Sequence, residues 1–274
     1  GTLAVGTGNE VQAARQAAAA QPPVVAALLG TLAQDSANLV AGGARVHLNN
    51  LWTTDILPFC REAIQGRYPF EPGSKQDATL ADFGRLFGPG GLLETFFKEN
   101  LAPLADTSRQ PWRWVNADLG LSPAVLAQFQ RAGVIRNAFF SGGKTPAVEF
   151  ELTPTDLDRK ATQFTLDLGG QLLDYRHGPL KPQIFKWPAP EGIGRVRLTF
   201  TDVDGKTAST TEEGPWAWFR VLDRARLQPT KQPELFRLTF VQSGLAAGFE
   251  LRATSVRNPF DLKEVRGFKC PERL

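Results

Sequence analysis

Methionine is absent from the 274 residues, even at position 1, and cysteine and histidine occur only twice each. With Gly1-Thr2-Leu3 as its start, such a chain is expected to be an excised or processed part of a larger protein. Two histidines, His47 in a helical stretch and His177 in a loop, leave little material for general acid–base catalysis. The His, Cys and carboxylate spacings of zinc sites do not occur, so neither a metal nor a cofactor is expected. Cys60 falls on the apolar stripe of a helix and Cys270 in the closing tail, places for structural thiols rather than a nucleophile. A Gly-x-Ser-x-Gly elbow is missing, and Gln242-Ser243-Gly244 reads as a turn between strands. No apolar run approaches the roughly 20 residues that span a bilayer. The Ala-rich stretch Val11 to Leu32 is broken by Arg15 and Gln21-Pro22-Pro23, which excludes a signal peptide or anchor there.

Charge is nearly balanced. Residues 1–144 hold 12 Lys/Arg against 11 Asp/Glu and residues 145–274 hold 19 against 17, so the pI of about 9.0 reflects a small surplus without the clustering of a nucleic-acid footprint. Gly142-Gly143-Lys144-Thr145 resembles the end of a phosphate-binding loop. However, Ala138 stands where that loop needs a glycine, and helix precedes where strand should, so the segment reads as a linker.

What is present divides into two kinds of pattern. Residues 1–40 contain 11 alanines, with Val24, Val25, Leu28, Leu29 and Leu32 on one helical face. Trp52, Ile56, Cys60 and Ile64 follow at intervals of four, with Pro58 expected to kink that helix or restart it. Arg67-Tyr68-Pro69-Phe70 breaks the pattern, and Ser74 with Asp77 gives a cap signal. Short helices are expected near Thr79–Phe87 and Gly91–Leu101, and Ser122-Pro123 opens a longer one that ends at Ser141-Gly142-Gly143.

From Thr145 the period becomes two. Val148, Phe150 and Leu152, then Phe164, Leu166 and Leu168, then Val196, Leu198 and Phe200, then Phe236, Leu238 and Phe240 alternate with polar residues, with Gly169-Gly170 and Asp204-Gly205 as hairpin turns. Phe249, Leu251 and Ala253 repeat the pattern before Asn258-Pro259-Phe260 stops it, and Leu262, Val265 and Phe268 follow three apart. The expected fold is α+β: an N-terminal α-helical domain over 1–144 and a C-terminal antiparallel β-sandwich of seven or eight strands over 145–274. Glu149, Glu151 and Asp167 occupy wet strand positions, and Trp112, Trp114, Trp187, Trp216 and Trp218 suit packing better than sugar stacking.

Several motifs in order carry a family resemblance. Cys60 through Phe70 (CREAIQGRYPF), Asp82 through Gly91 (DFGRLFGPGG), Phe96-Phe97 and Leu101 form the first group. Asp174 through Pro179 (DYRHGP), Trp187-Pro188, Gly214 through Arg220 (GPWAWFR), Ser255 through Phe260 (SVRNPF) and Phe268-Lys269-Cys270-Pro271 form the second. From about Leu51 to Leu274 the chain resembles the periplasmic C-terminal region of the IcmF family, the TssM proteins of bacterial type VI secretion systems. The resemblance implies a non-enzymatic periplasmic assembly module at the end of an inner-membrane protein. It also implies that the module binds the outer-membrane lipoprotein TssJ, meets TssL through the rest of its parent protein, and oligomerises in the assembled complex. The family's nucleotide-binding motif belongs to a cytoplasmic part, so no nucleotide is expected here.

Because loops at a sandwich end are common binding surfaces, the expected TssJ contact is the hairpin with Asp202, Asp204 and Lys206 and the loop with Thr210, Glu212 and Glu213. The alternative is a peptidoglycan-binding or peptidoglycan-cleaving module using the aromatics and carboxylates. An oxidising periplasm permits a Cys60–Cys270 disulfide, although two cysteines so far apart in sequence equally suit separate burial.

Overall fold

Helical and strand periods each build their own elements in the computed structural model, which describes residues 13, 16–17, 23–116, 119–140, 143–254 and 258–274. The chain clusters into two compact units, one of residues 1–62, 92–130 and 269–274, the other of residues 63–91 and 131–268.

In the first unit, helix α1 spans Pro23–Leu51 and passes into a π-helical turn, Trp52–Ile56, before α2, Leu57–Ile64. Pro58 thus falls in the first turn of a restarted helix, where its missing amide hydrogen costs little. The apolar stripe near the start of α1 stays exposed at Val25, Leu28, Leu29 and Leu32. Helix α4, Leu92–Phe96, runs into a second π-helical turn, Phe97–Leu101, and the hairpin of β1, Ala105–Asp106, and β2, Arg113–Trp114, follows. Helix α5 spans Pro123–Phe139, and Ser122 opens it by accepting from the amide of Ala124 at 3.2 Å. Its expected stop at Ser141-Gly142 lies outside the described residues, as do Ser255 to Arg257 of the family motif.

Trp52 anchors this unit. It is fully buried, with Phe96 and Phe129 edge-on at 5.3 and 5.6 Å, and its indole donates to the Pro271 carbonyl at 2.7 Å. The last six residues are held along the same helices. Lys269 N donates to Gln128 Oε1 at 2.9 Å, Arg61 pairs with Glu272, and Leu274 N donates to Asn49 Oδ1 at 2.9 Å. Between these contacts Cys60 and Cys270 are joined by a disulfide, with Cα atoms 6.1 Å apart.

In the second unit, helix α3, Leu80–Phe87, begins at Thr79, whose hydroxyl oxygen accepts from Asp82 N at 3.0 Å. Ser74, the expected cap, instead organises a turn: its hydroxyl lies 2.6 Å from the Gly66 carbonyl, and no helix starts there. Phe83 of α3 is ringed by Phe87, Phe139 and Trp216 at 5.1–5.3 Å. A side chain at Gly84 would put its Cβ 2.6 Å from the Lys144 carbonyl, so the close approach of that backbone requires glycine.

Among the described residues of the second unit, nine antiparallel strands form two sheets. The five-stranded sheet has the order β6-β3-β11-β10-β9, with β3 Val148–Leu157, β6 Gln183–Trp187, β9 Arg226–Pro229, β10 Leu235–Gln242 and β11 Leu245–Ala253. The four-stranded sheet has the order β5-β4-β7-β8, with β4 Ala161–Leu168, β5 Gln171–Tyr175, β7 Arg195–Asp202 and β8 Thr207–Glu213. Phe164 of one sheet meets Phe240 and Phe249 of the other at 5.6 and 5.1 Å, which locates the sandwich core. Each such ring contributes about 1.5–3 kcal/mol of burial.

One element has no counterpart in the expected strand run: helix α6, Ala217–Arg224, between β8 and β9. It turns Trp216 and Phe219 toward Phe139 and Trp187, while Trp218 stacks on Phe150 at 5.1 Å. After β11, Phe260, Leu262, Val265 and Phe268 are buried around a short helix α7, Lys263–Gly267, which Arg131 ties by bonds to Glu264 and the Gly267 carbonyl.

The disulfide adds a covalent tie to the tail's hydrogen bonds, its ion pair and the burial of Leu274. Cys270→Ser is expected to lower unfolding free energy by about 2–5 kcal/mol, measured by denaturant titration; a midpoint equal to that of the parent protein would refute the bridge.

Candidate partner interface

Strands β7 and β8 form the hairpin that carries the residues expected to meet a partner. Asp202 closes its turn: Oδ1 accepts from the amides of Asp204 and Lys206 at 2.9 and 2.8 Å, and Asp202 N donates to the Lys206 carbonyl at 2.9 Å. Gly205, with φ of +79°, supplies the left-handed step the turn needs. Asp202 is therefore occupied by the hairpin itself, whereas Asp204 and Lys206 are exposed at its tip.

Thr210 to Glu213, expected as a loop, is the end of strand β8. Exposed and half-buried residues alternate along it, and it pairs in register with β7, Leu198 opposite Thr210 and Arg195 opposite Glu213. Thr210 and Glu212 point to the half-buried side, and Glu212 meets Arg224 of α6 at 2.5 Å. Glu213 is exposed. Seven residues of strand separate the two ends of β8, about 20 Å at 3.3 Å per residue, so the six residues make two small sites rather than one.

Of the aromatics weighed for sugar stacking, Trp187, Trp216 and Trp218 are buried. Trp112 stacks on Phe97 at 5.1 Å, and Trp114 donates to the Ser122 carbonyl at 3.1 Å. Glu149 and Glu151 lie on β3, while Asp167 lies on β4 in the other sheet and accepts from Gly170 N at 2.8 Å. Asp167 is thus separated from the two glutamates by the division between the sheets. Among the described residues no cluster of His, Cys, Asp and Glu suits a metal ion, and no helix is long and apolar enough to cross a membrane.

A polar chain underlies α6. Tyr68 donates to Asp223 at 2.8 Å, Arg266 donates to both Asp223 oxygens at 2.6 Å, and Arg220 lies 4.0 Å over the Tyr68 ring while pairing with Asp77. Arg220 also donates to the Ser74 carbonyl at 3.0 Å. Burial, then the Asp223 charge and hydrogen bond, push the Tyr68 phenol well above its ordinary range. Sequence reading missed this chain because its members are scattered from position 68 to 266; the only signal was Trp216, Phe219 and Leu222 at helical spacing.

Two family models match successive parts of the chain: the type VI secretion protein IcmF helical domain over residues 43–145 and the IcmF C2-like domain over residues 150–255. The chain belongs to the IcmF family. It is 44% identical over 275 residues to the type VI secretion system component TssM1 of Pseudomonas aeruginosa PAO1, covering 97% of this chain and 25% of that protein. It thus spans a quarter of that relative's length. Among solved structures, the C-terminal domain of the T6SS protein TssM from EAEC superposes with a TM-score of 0.75 at 25% identity, covering 84% of this chain and 98% of that one. A chain of a type VI secretion system membrane core complex shares the fold, with a TM-score of 0.80 at 23% identity over 96% of this chain and 57% of that one. The β7–β8 hairpin, α6 and Tyr68's partner Asp223 all fall within the IcmF C2-like match, whereas Tyr68 and Asp77 fall within the helical match.

The Tyr68 chain makes a pH prediction. A phenol with a raised folded-state pKa contributes stability that is whole below the unfolded value of about 10 and is lost as pH rises above it. Tyr68→Phe is expected to cost about 1–3 kcal/mol at neutral pH, through the lost hydrogen bond, and to flatten the decline above about pH 10. Denaturant midpoints measured from neutral to alkaline pH check both; parallel profiles for the two proteins would refute the assignment.

Proposed function

We propose that this IcmF chain is a non-catalytic, periplasmic assembly module of a type VI secretion membrane complex, the C-terminal part of an inner-membrane protein that reaches the outer-membrane lipoprotein TssJ. The identity of 44% to TssM1 over 97% of the chain is the observation that carries this reading. TssL belongs to the same assembly through the rest of the parent protein, and the assembled complex is oligomeric. The functional division follows the earlier boundary, 1–144 helical and 145–274 β, in support of which the two family matches meet between residues 145 and 150.

The lipoprotein contact is placed on the β7–β8 hairpin. Asp204 and Lys206 at its tip and Glu213 on its edge face solvent and are free to meet a partner, while Asp202, Thr210 and Glu212 hold the hairpin's shape. Lys206→Glu removes one charge of this tip and adds the opposite one without touching the core. It is expected to weaken binding to the soluble TssJ domain by about three- to tenfold, chiefly through the association rate, with an unchanged melting temperature. Co-elution of the parent chain with that domain at tens of micromolar is the first test. Failure to co-elute overturns the proposed function, and retention on purified peptidoglycan with release of soluble fragments would replace it with the cell-wall reading.

A further inference from the structure

An antiparallel sandwich has four edge strands, each with a row of backbone groups facing outward, and three of the four are closed here. Gln171 of β5 reaches to β6, where its amide donates to the Lys186 carbonyl and its oxygen accepts from Lys186 N, both at 2.8 Å. Gln183 of β6 donates in return to the Leu172 carbonyl of β5 at 2.6 Å. Two glutamine side chains thereby stand where a further strand would sit. Edge β9 has four residues and ends in Pro229, which has no amide hydrogen to offer.

Edge β8 is different. It has seven residues, Thr207–Glu213, with no proline and no lysine. The bond from Asp202 N to the Lys206 carbonyl makes that pair a hydrogen-bonded one, so alternation along the register leaves Thr207, Ser209, Thr211 and Glu213 with amide and carbonyl pointing away from β7. Ser209 and Thr199 hydroxyls meet at 2.8 Å across one of the close, non-hydrogen-bonded pairs. All four residues are exposed. Ala208 and Thr210 on the other face are half-buried, so a strand laid along this edge would extend the core there.

We infer that β8 is an acceptor edge: an extended segment of a partner protein adds to the four-stranded sheet as a fifth strand, hydrogen-bonding to the backbone of Thr207, Ser209 and Thr211. The segment it takes is uncharged along its middle, places small or apolar side chains beside Ala208 and Thr210, and ends in a lysine or arginine against Glu213, which has no ion-pair partner among the described residues. This rests on the proposed function, for which it supplies the mode of docking.

Proline tests it, because Ser209 spends no amide hydrogen on β7. Ser209→Pro is expected to keep the native circular dichroism spectrum and to weaken binding of the soluble TssJ domain by more than tenfold in calorimetry. Ile184→Pro on β6, whose amide faces outward beside the glutamine-closed position, is the control, with binding expected to stay within twofold. Should Ser209→Pro fail to fold, hydrogen exchange of the parent complex replaces it, with the Ser209 and Thr211 amides protected at least tenfold by the partner. Unchanged affinity in a folded Ser209→Pro, or unchanged exchange at both amides in a formed complex, overturns the acceptor edge and leaves the function standing. Absence of any complex overturns both. A β8-to-β8 dimer of this chain that excludes the lipoprotein would give the edge to a second copy and overturn the partner assignment.

Discussion

Backbone groups at the rim of a sheet must be satisfied by protein or left to water, and this constraint governs the sandwich. A row of outward N–H and C=O groups is a template for another strand, so leaving one open exposes the protein to unwanted pairing. Gln171 and Gln183 remove that hazard on one side by making, with side-chain amides, the bonds a strand would make. Their choice is economical: an amide side chain both donates and accepts, so Gln171 satisfies both groups of Lys186. Against this background the seven-residue edge of β8 differs from the other three in having neither a glutamine laid across it nor a proline in it.

Helix α6 supports that edge from behind. Its inner face carries Trp218 into the sandwich core and Trp216 and Phe219 into the aromatic cluster with Phe83, Phe139 and Trp187, so a two-turn helix is fixed by three large rings. Its polar side is fixed by the chain from Asp77 through Arg220, Tyr68 and Asp223 to Arg266. A charged network is tolerated there because each carboxylate faces a guanidinium and the phenol has an acceptor, while the buried Arg266 Nε has no hydrogen-bond partner among the described residues. Arg224 of α6 then holds Glu212 of β8, which links the packing of the core to the position of the edge.

The small unit formed by α1, α4, the start of α5 and the last six residues follows a different logic. Trp52 joins rings on two helices to the tail through one hydrogen bond, and the disulfide lies beside it. Ordering these six residues opposes folding by about 1–2 kcal/mol per residue, and Leu274 is the residue among them that is buried in the core. A covalent link together with main-chain bonds from Lys269 and Leu274 and the Arg61 pair offsets that cost.

The sequence by itself determined the α+β class, the antiparallel strands and most turns, because periods of 3.6 and 2 and residues such as Gly169-Gly170 and Asp204-Gly205 act over a few neighbours. It also showed where Ser122-Pro123 would start a helix, and the ordered motifs already pointed to the IcmF family. Thr210 to Glu213 misled because four polar residues look like a loop, and only their register with Arg195–Leu198 makes them a strand. Ser74 likewise offered a local cap signal that lost to its bonds within a turn. Helix α6 lay hidden in an aromatic run that would suit a strand equally well. The glutamine-closed edges, the Tyr68 chain and the open face of β8 were decided by tertiary structure alone, since each depends on which backbone groups remain unpaired after residues far apart in sequence have met.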